Sequence, residues 1–246
     1  MTTTTPWAEA FTEVGWALPE ILTTAGKDRA VSCLEQYFAH NEASSPIFTG
    51  SLFEHGTNKS DKITAEDLLA LSLLDVPVRG YQVAHFLTPS DTAKKVDLDE
   101  VATRDFTAHQ LPYHLGQINK ILASIPTDVA LSSKKAAALM PAGDQLWVAL
   151  RRKGFGPSRV SKLMARKRPK LFPIIDSVVA EQLGADSLGF YDNLRTILRA
   201  EDKALNKHLK DIRAEATKRS GNDHIAELSP IRVFDIVVWM SGRKQA

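Results

Sequence analysis

A glycine-rich turn is the first feature of this 246-residue sequence that can support chemistry. It reads Gly154-Phe155-Gly156-Pro157 and lies between two segments with helical apolar spacing. Two glycines around one apolar residue permit positive φ angles and a close approach to another molecule. Pro157 suits the first turn of a following helix, whose backbone amides favour an anion. The turn therefore predicts a phosphate site, and we expect a bulky β-branched residue at Gly156 to damage it.

A strongly basic segment surrounds this turn. The whole chain has a net charge of +2. Nine basic residues and no acidic residue lie between positions 151 and 170: Arg151, Arg152, Lys153, Arg159, Lys162, Arg166, Lys167, Arg168 and Lys170. The rest of the chain has 22 basic and 29 acidic residues, a net charge of −7. This pattern indicates a local site for a polyanion, although an ordinary solvated helix face produces it too.

The helix after the turn has two distinct faces. Apolar residues repeat on one face at Val160, Leu163 and Met164. Cations repeat on the other face at Arg159, Lys162 and Arg166. We expect this helix to end near Lys167, because Arg168 precedes Pro169. The cationic face is predicted to add charge-assisted contacts to phosphates bound at the turn.

Residues 152–160 resemble the helix-hairpin-helix of the DNA glycosylase superfamily, whose pattern is Leu-Pro-Gly-Val-Gly-x-Lys-Thr-Ala. This chain has Arg-Lys-Gly-Phe-Gly-Pro-Ser-Arg-Val there. Downstream, the sequence Ile-Asp-Ser-Val-Val at 175–179 is similar to the family's Val-Asp-Thr-His-Val, and its helix ends at Leu183-Gly184. Asp176 follows Ser158 by 18 residues, the interval the family keeps between its lysine position and its catalytic aspartate. The resemblance covers about residues 145–184.

The resemblance implies an all-α, two-lobed fold and a DNA-binding protein of the monofunctional glycosylase kind. Ser158 replaces the lysine nucleophile of bifunctional members, and Val178 replaces the histidine after the aspartate. Little sequence preference is expected, since the implied contacts are to phosphates from Gly154, Phe155, Gly156, Ser158, Arg159, Lys162 and Arg166. The chain also resembles an uncharacterised group of actinobacterial proteins of unknown function, which implies no activity.

Asp176 is the carboxylate that the resemblance implies for catalysis. Breaking an N-glycosidic bond develops positive charge on the sugar, which a nearby anion stabilises while water attacks. A flipped base also needs an aromatic pocket, and Tyr81, Phe86, Tyr113 and Tyr191 are the candidates from sequence. A structural alternative is equally open: Asp176 before Ser-Val-Val-Ala is an ordinary helix N-cap.

The remaining sequence predicts helices. Thr64 and Asp67 form a capping box, Ser229-Pro230 begins a helix that is apolar on several faces, and 201–219 forms a helix ended by Gly221. The stretch 88–109 is the predicted long loop. By analogy with glycosylases, we expect a central lobe at 57–165, with 1–56 and 166–246 together forming a second lobe.

Other features carry weaker predictions. Asp235 lies one turn after Arg232 inside an apolar helix, which favours a buried orienting pair over a second catalytic acid. Glu54 and His55 are predicted in a surface turn, with a place in a pocket wall as the alternative. A single cysteine and the histidine spacing indicate no metal site and no cofactor. With no apolar run long enough for a bilayer and no signal peptide, we expect a cytoplasmic protein.

Three functional hypotheses follow from the sequence. The first is a DNA glycosylase that releases a base with water as nucleophile. The second is a helix-hairpin-helix module that binds DNA or senses its structure without chemistry. The third is an unrelated helical protein whose basic segment binds RNA or a protein. The first two predict that the basic face and Asp176 line one cleft.

Overall fold

The computed structural model describes residues 5–56, 60–87, 115–151, 154–186 and 189–243. Within these ranges the chain is helical and forms no strand, which confirms the all-α prediction. The α-helices are α1 (Ala8–Glu13), α2 (Lys27–Tyr37), α3 (Ala65–Ala70), α4 (Gly80–Leu87), α5 (Leu115–Ala123), α6 (Met140–Leu150), α7 (Pro157–Lys167), α8 (Ser177–Leu183), α9 (Phe190–Ser220), α10 (Asp223–Glu227) and α11 (Pro230–Gly242). Short 3-10 segments are Glu20–Leu22, Thr49–Leu52, Leu71–Leu74 and Lys134–Leu139.

The predicted helix boundaries with capping residues are confirmed. Thr64 and Asp67 form the reciprocal capping box of α3. The Ser229 side chain accepts a hydrogen bond at the start of α11. Gly184 and Gly221 end α8 and α9 with positive φ, a conformation that costs glycine little. These ends were predictable because each depends on one local side chain or one backbone angle.

Helix α9 differs from its prediction. It begins at Phe190, well before residue 201, and is interrupted at 200–203, where three residues have positive φ. The segment before the interruption is helical because Phe190, Leu194 and Ile197 are buried on one face. The predicted long loop at 88–109 lies outside the described residues.

Helix α11 is at the centre of the packing. It packs against α2, α8 and α9, and α2 packs in turn against α9. A second group of helices makes its own contacts: α6 packs against α5 and α7, and α3 packs against α7. The division into two lobes stays a prediction. No helix among the described residues has both the length and the apolar character needed to cross a bilayer.

Candidate nucleic-acid interface and cavity

The hairpin before α7 is fixed at Gly154. This residue has φ +75°, and a Cβ there would lie 2.6 Å from Nε2 of Gln82. Its carbonyl accepts hydrogen bonds from Gln82 Nε2 and, at 3.1 Å, from Arg159 Nη1. Position 154 therefore favours glycine through its backbone angle, and a Cβ there would also displace the Gln82 side-chain amide.

Gly156 does not have this requirement. Its backbone is extended, and a Cβ built there would meet no atom within 4 Å. The prediction that a side chain at Gly156 would damage the hairpin is therefore not supported by the geometry. Phe155 between the glycines is fully buried and packs edge-on against Phe86, with ring centroids 4.7 Å apart. Phe155 therefore anchors the hairpin to α4.

Arg159 lies at the edge of the hairpin and is partly exposed. Its Nη2 donates to the Pro77 carbonyl at 2.9 Å, and its Nη1 donates to Gly154. These bonds hold the guanidinium beside the loop that leads into α4. Ser158, in the first turn of α7, is also partly exposed and faces a cavity described below.

Lys162 and Arg166 are not on a solvated face, which corrects the expectation for α7. Lys162 is 4% exposed, and its Nζ donates to Asp176 Oδ2 at 3.0 Å and to the Leu74 carbonyl at 3.1 Å. Arg166 is 3% exposed, and its Nε donates to Asp67 Oδ1 at 3.0 Å. Buried charges need partners of this kind, because desolvation disfavours an uncompensated ion.

The two cations after Arg166 are buried as well. Lys167 donates to Asp67 Oδ2 at 2.8 Å, and burial lowers its pKa although Asp67 acts in the opposite direction. Arg168 donates to the Ser60 carbonyl at 2.7 Å and to Asp61 Oδ1 at 2.8 Å. These contacts therefore tie the C-terminal end of α7 to α3 and to the residues just before α3.

A cavity of about 260 Å³ opens beside the start of α7. Its walls come from the end of α2, the segments 48–50 and 73–76, the first turns of α7 and α8, and one face of α11. Tyr37 and Phe48 lie nearly parallel, 5.7 Å apart, and Trp239 meets Phe48 edge-on at 5.9 Å. Gly50 also lines the cavity, and a Cβ at this position would overlap the Tyr37 hydroxyl. The cavity thus has an aromatic wall held by close packing.

Asp176 lines this cavity and also caps α8. Its Oδ1 accepts a hydrogen bond from the Val178 amide at 3.0 Å, and its Oδ2 pairs with Lys162. The side chain remains 18% exposed. A carboxylate has about four lone-pair directions, so the cap and the ion pair leave it able to accept a further hydrogen bond. Both predicted roles, N-cap and cavity carboxylate, are geometrically compatible.

Asp235 and Arg232 form the predicted buried pair in α11 and also line the cavity. Arg232 further donates to Glu54 Oε1 at 2.7 Å and to the Tyr37 hydroxyl at 3.2 Å. Glu54 lies in a turn, as predicted, and its side chain is 29% exposed, but one of its oxygens pairs with the buried Arg232. Burial, with a contribution from Asp176, raises the pKa of Asp235 to about 6, against the opposing effect of Arg232. Burial also raises the pKa of Tyr37 to about 12.

The aromatic residues chosen from sequence do not form the cavity wall among the described residues. Tyr81 is exposed beside the hairpin, Phe86 packs on Phe155, and the partly buried Tyr191 has its ring 5.5 Å from that of Phe172. Tyr113 lies outside the described residues. The residues that do form the wall come from positions 37, 48 and 239. No local motif connects such distant positions, so the sequence contains no signal that selects them.

Comparison with known proteins gives a family. A model described as a family of unknown function (DUF6308) matches residues 30–110 and 105–242. The chain belongs to this family. No curated protein and no solved structure matches the chain. The family match agrees with the predicted likeness to an uncharacterised group, whereas the likeness to DNA glycosylases stays a prediction.

Proposed function

We propose that this protein binds DNA through the hairpin at 154–158 and receives an unstacked base in the adjacent cavity. There, Asp176 assists water in hydrolysing the N-glycosidic bond, as in the monofunctional glycosylases that the sequence resembles. The proposal includes their two-lobed arrangement, with 57–165 as one lobe. The observation that carries it is that Asp176 and Ser158 line one aromatic-walled cavity, directly beside the hairpin.

The dimensions and chemistry of the cavity suit a planar heterocycle. A volume of about 260 Å³ exceeds that of a single base, and Tyr37, Phe48 and Trp239 line the cavity with aromatic surface. Enzymes that act on a base hold it outside the stack between aromatic or apolar walls. Polar groups around the rim, including Asp176, would then fix the orientation of the base.

Phosphate binding in this proposal rests on the hairpin backbone and Arg159. The first amides of a helix have no partner within the helix and attract an anion. Arg159 is the cation of α7 that reaches the hairpin edge. Lys162 and Arg166 act from inside: Lys162 orients Asp176, and Arg166 fastens α7 to α3. Direct phosphate contacts by these two side chains stay a prediction.

The chemical step needs one well-placed anion. As the bond from the sugar to the base breaks, its electrons move to the base nitrogen and positive charge develops on the sugar. Asp176 stabilises that charge and takes a proton from the attacking water, whose oxygen forms the new bond to the sugar. Ser158 cannot form an imine, so no covalent intermediate is expected at that position.

A strand-nicking assay across duplexes with different damaged bases tests this function. An abasic-site nuclease, or alkali, would cut the strand at each abasic site that base release leaves. We expect nicks in the duplex with at least one type of damaged base. We expect no covalent protein–DNA adduct after borohydride treatment. A protein that binds duplex DNA tightly but leaves every lesion intact would rule out the catalytic proposal.

A second candidate is a binding module without chemistry, and a specific observation favours it. Asp176 already has two structural partners, the Val178 amide and Lys162. Those contacts alone are a sufficient reason for an aspartate at this position, since an N-cap contributes about 1 kcal/mol. In this case the hairpin would bind DNA and the cavity would recognise an unstacked base without cleaving it.

A further inference from the structure

The ion pairs at the cavity wall and directly behind it contain more carboxylates than cations. In these ion pairs Glu54, Asp176 and Asp235 supply three carboxylates, whereas Lys162 and Arg232 supply two cations. A further cation, the partly exposed Arg243, lies over the Phe48 ring, outside these ion pairs. Lys162 pairs with Asp176, so Glu54 and Asp235 share one guanidinium. The cluster therefore has one formal negative charge in excess, which a single bound proton would neutralise.

Burial indicates which carboxylate holds that proton. The side chain of Asp235 is 6% exposed, against 18% for Asp176 and 29% for Glu54. Desolvation disfavours the charged form of the least exposed group most strongly. The raised pKa of Asp235, about 6, agrees with this order. Asp75 also lines the cavity, but it is exposed to solvent, where water and salt screen its charge.

The two oxygens of Asp235 have different surroundings. Arg232 Nη1 donates to Oδ2, which fixes the carboxyl group on the cavity side of α11. Among the described residues, no hydrogen bond to Oδ1 is found. A proton on Oδ1 is compatible with the Arg232 contact, because Oδ2 then remains the acceptor.

We propose that Asp235 is a second acid of the cavity, which holds a proton on Oδ1 and donates it to an acceptor nitrogen of a heterocyclic base bound there. The inference rests on the proposed function in that the ligand is an unstacked base. It adds the chemical class that the cavity selects, namely a planar ring with an accessible hydrogen-bond acceptor. If hydrolysis occurs, the donated proton passes to the departing base, and Asp176 takes the proton of the attacking water.

Asp235 also borders a second, smaller space on the side of Glu54. This space of about 10 Å³ lies behind Arg232 and is lined by Glu54 and Asp235. It is large enough for about one water. Among the described residues, no hydrogen-bond partner is found for the buried Oε2 of Glu54. Glu54, whose side chain is 29% exposed, and Asp235 therefore border one small space behind the cavity.

A purely orienting pair makes a different prediction. Arg232 is already held by Glu54 and the Tyr37 hydroxyl, so Asp235 is not its sole anchor. If Asp235 only orients α11, its replacement changes the stability of the fold. Ligand affinity is then independent of pH in both the wild type and the variant. If Asp235 donates a proton, affinity falls as pH rises through the pKa of that carboxyl.

The test is calorimetric titration of the full chain with free adenine, guanine, cytosine and thymine from pH 5 to pH 8. We expect at least one base to bind, with affinity falling about tenfold per pH unit above about pH 6, since one proton is linked to binding. Asp235→Asn should remove this pH dependence. Asp128→Asn, the same change at an exposed position, should retain it.

Asp176→Asn provides an independent variant if Asp235→Asn does not fold. Removing the Asp176 charge should lower the pKa of Asp235 and move the affinity midpoint to lower pH. Affinity independent of pH, persistence of the pH dependence in Asp235→Asn, or absence of binding by all four bases would overturn the inference. Base release from DNA combined with affinity independent of pH overturns this inference alone. Binding with the expected pH dependence but no base release overturns only hydrolysis.

Discussion

The ammonium group of Lys162 lies 3.0 Å from Oδ2 of Asp176. The sequence predicted different partners for these residues, phosphate for the lysine and a sugar for the aspartate. Their pairing joins α7 to the start of α8 at the wall of the cavity. The Lys162 ammonium group fixes the orientation of the Asp176 carboxylate. Because Lys162 is in α7, the helix that follows the hairpin, this ion pair links the hairpin to the cavity.

Asp67→Asn should strongly destabilise the fold. Asp67 is fully buried and binds both Arg166 and Lys167, so its loss leaves two buried cations without their carboxylate. We expect the free energy of unfolding in urea to fall by about 3–5 kcal/mol. Asp61→Asn is the matched control, because Asp61 is 56% exposed beside Arg168 and should cost at most about 1 kcal/mol. Equal losses for both variants would contradict this account of α7.

The two glycines of the hairpin should respond differently to substitution. Gly154→Val introduces a side chain at φ +75° and against Gln82, so we expect a loss of about 1–3 kcal/mol in the free energy of unfolding. Gly156→Ala has open space and should fold with nearly unchanged stability. Its methyl group would lie between the hairpin and a phosphate, which should weaken DNA binding. A free energy of unfolding unchanged by Gly154→Val would refute the assigned geometry.

Arg159→Ala should weaken duplex DNA binding and reduce its dependence on salt. If Arg159 neutralises one phosphate, the slope of log affinity against log salt should decrease by about 0.9. Fluorescence anisotropy at several salt concentrations measures both quantities. Lys210→Ala removes one exposed charge from α9 and should leave affinity nearly unchanged. An identical slope for wild type and Arg159→Ala would place the phosphate contacts elsewhere.

His208 should contribute stability that is lost in acid. The imidazole is 8% exposed and lies 4.7 Å from the Trp7 ring, and burial, with Lys27, lowers its pKa. The unfolded chain therefore binds a proton more readily, so the contribution is complete above about pH 6.5 and decreases below it. The difference in unfolding free energy between wild type and His208→Gln should shrink from pH 7.5 to pH 5. His40→Gln, at an exposed position, controls for loss of an imidazole.

The boundaries of several elements were predictable because they depend on short-range chemistry. Thr64 with Asp67, Ser229 with Pro230, and Gly221 each act within a few residues of a helix end. The placement of Asp176 at the start of a helix follows from the same kind of contact. For such features the sequence is sufficient evidence.

Long-range partners explain what the sequence could not predict. The basic segment contains no acidic residue, yet Asp67, Asp61 and Asp176 supply its carboxylates from elsewhere in the chain. Backbone carbonyls bind the remaining donors of Arg166 and Arg168. Charge counted along the sequence therefore overestimates the charge that reaches solvent. The cavity wall was equally unpredictable, because its aromatic residues meet only through tertiary packing.

The most direct test of the central claim is single-turnover base release by Asp176→Asn on a lesion that the wild type processes. The asparagine retains a capping oxygen, and Lys162→Met can be added to remove the unpaired ammonium left by this substitution. We expect unchanged affinity for the duplex and a rate lower by about 10²–10³-fold, as for the loss of one electrostatic stabiliser. Base release at the wild-type rate, with Asp176 replaced, would contradict the assignment of this cavity as the catalytic site.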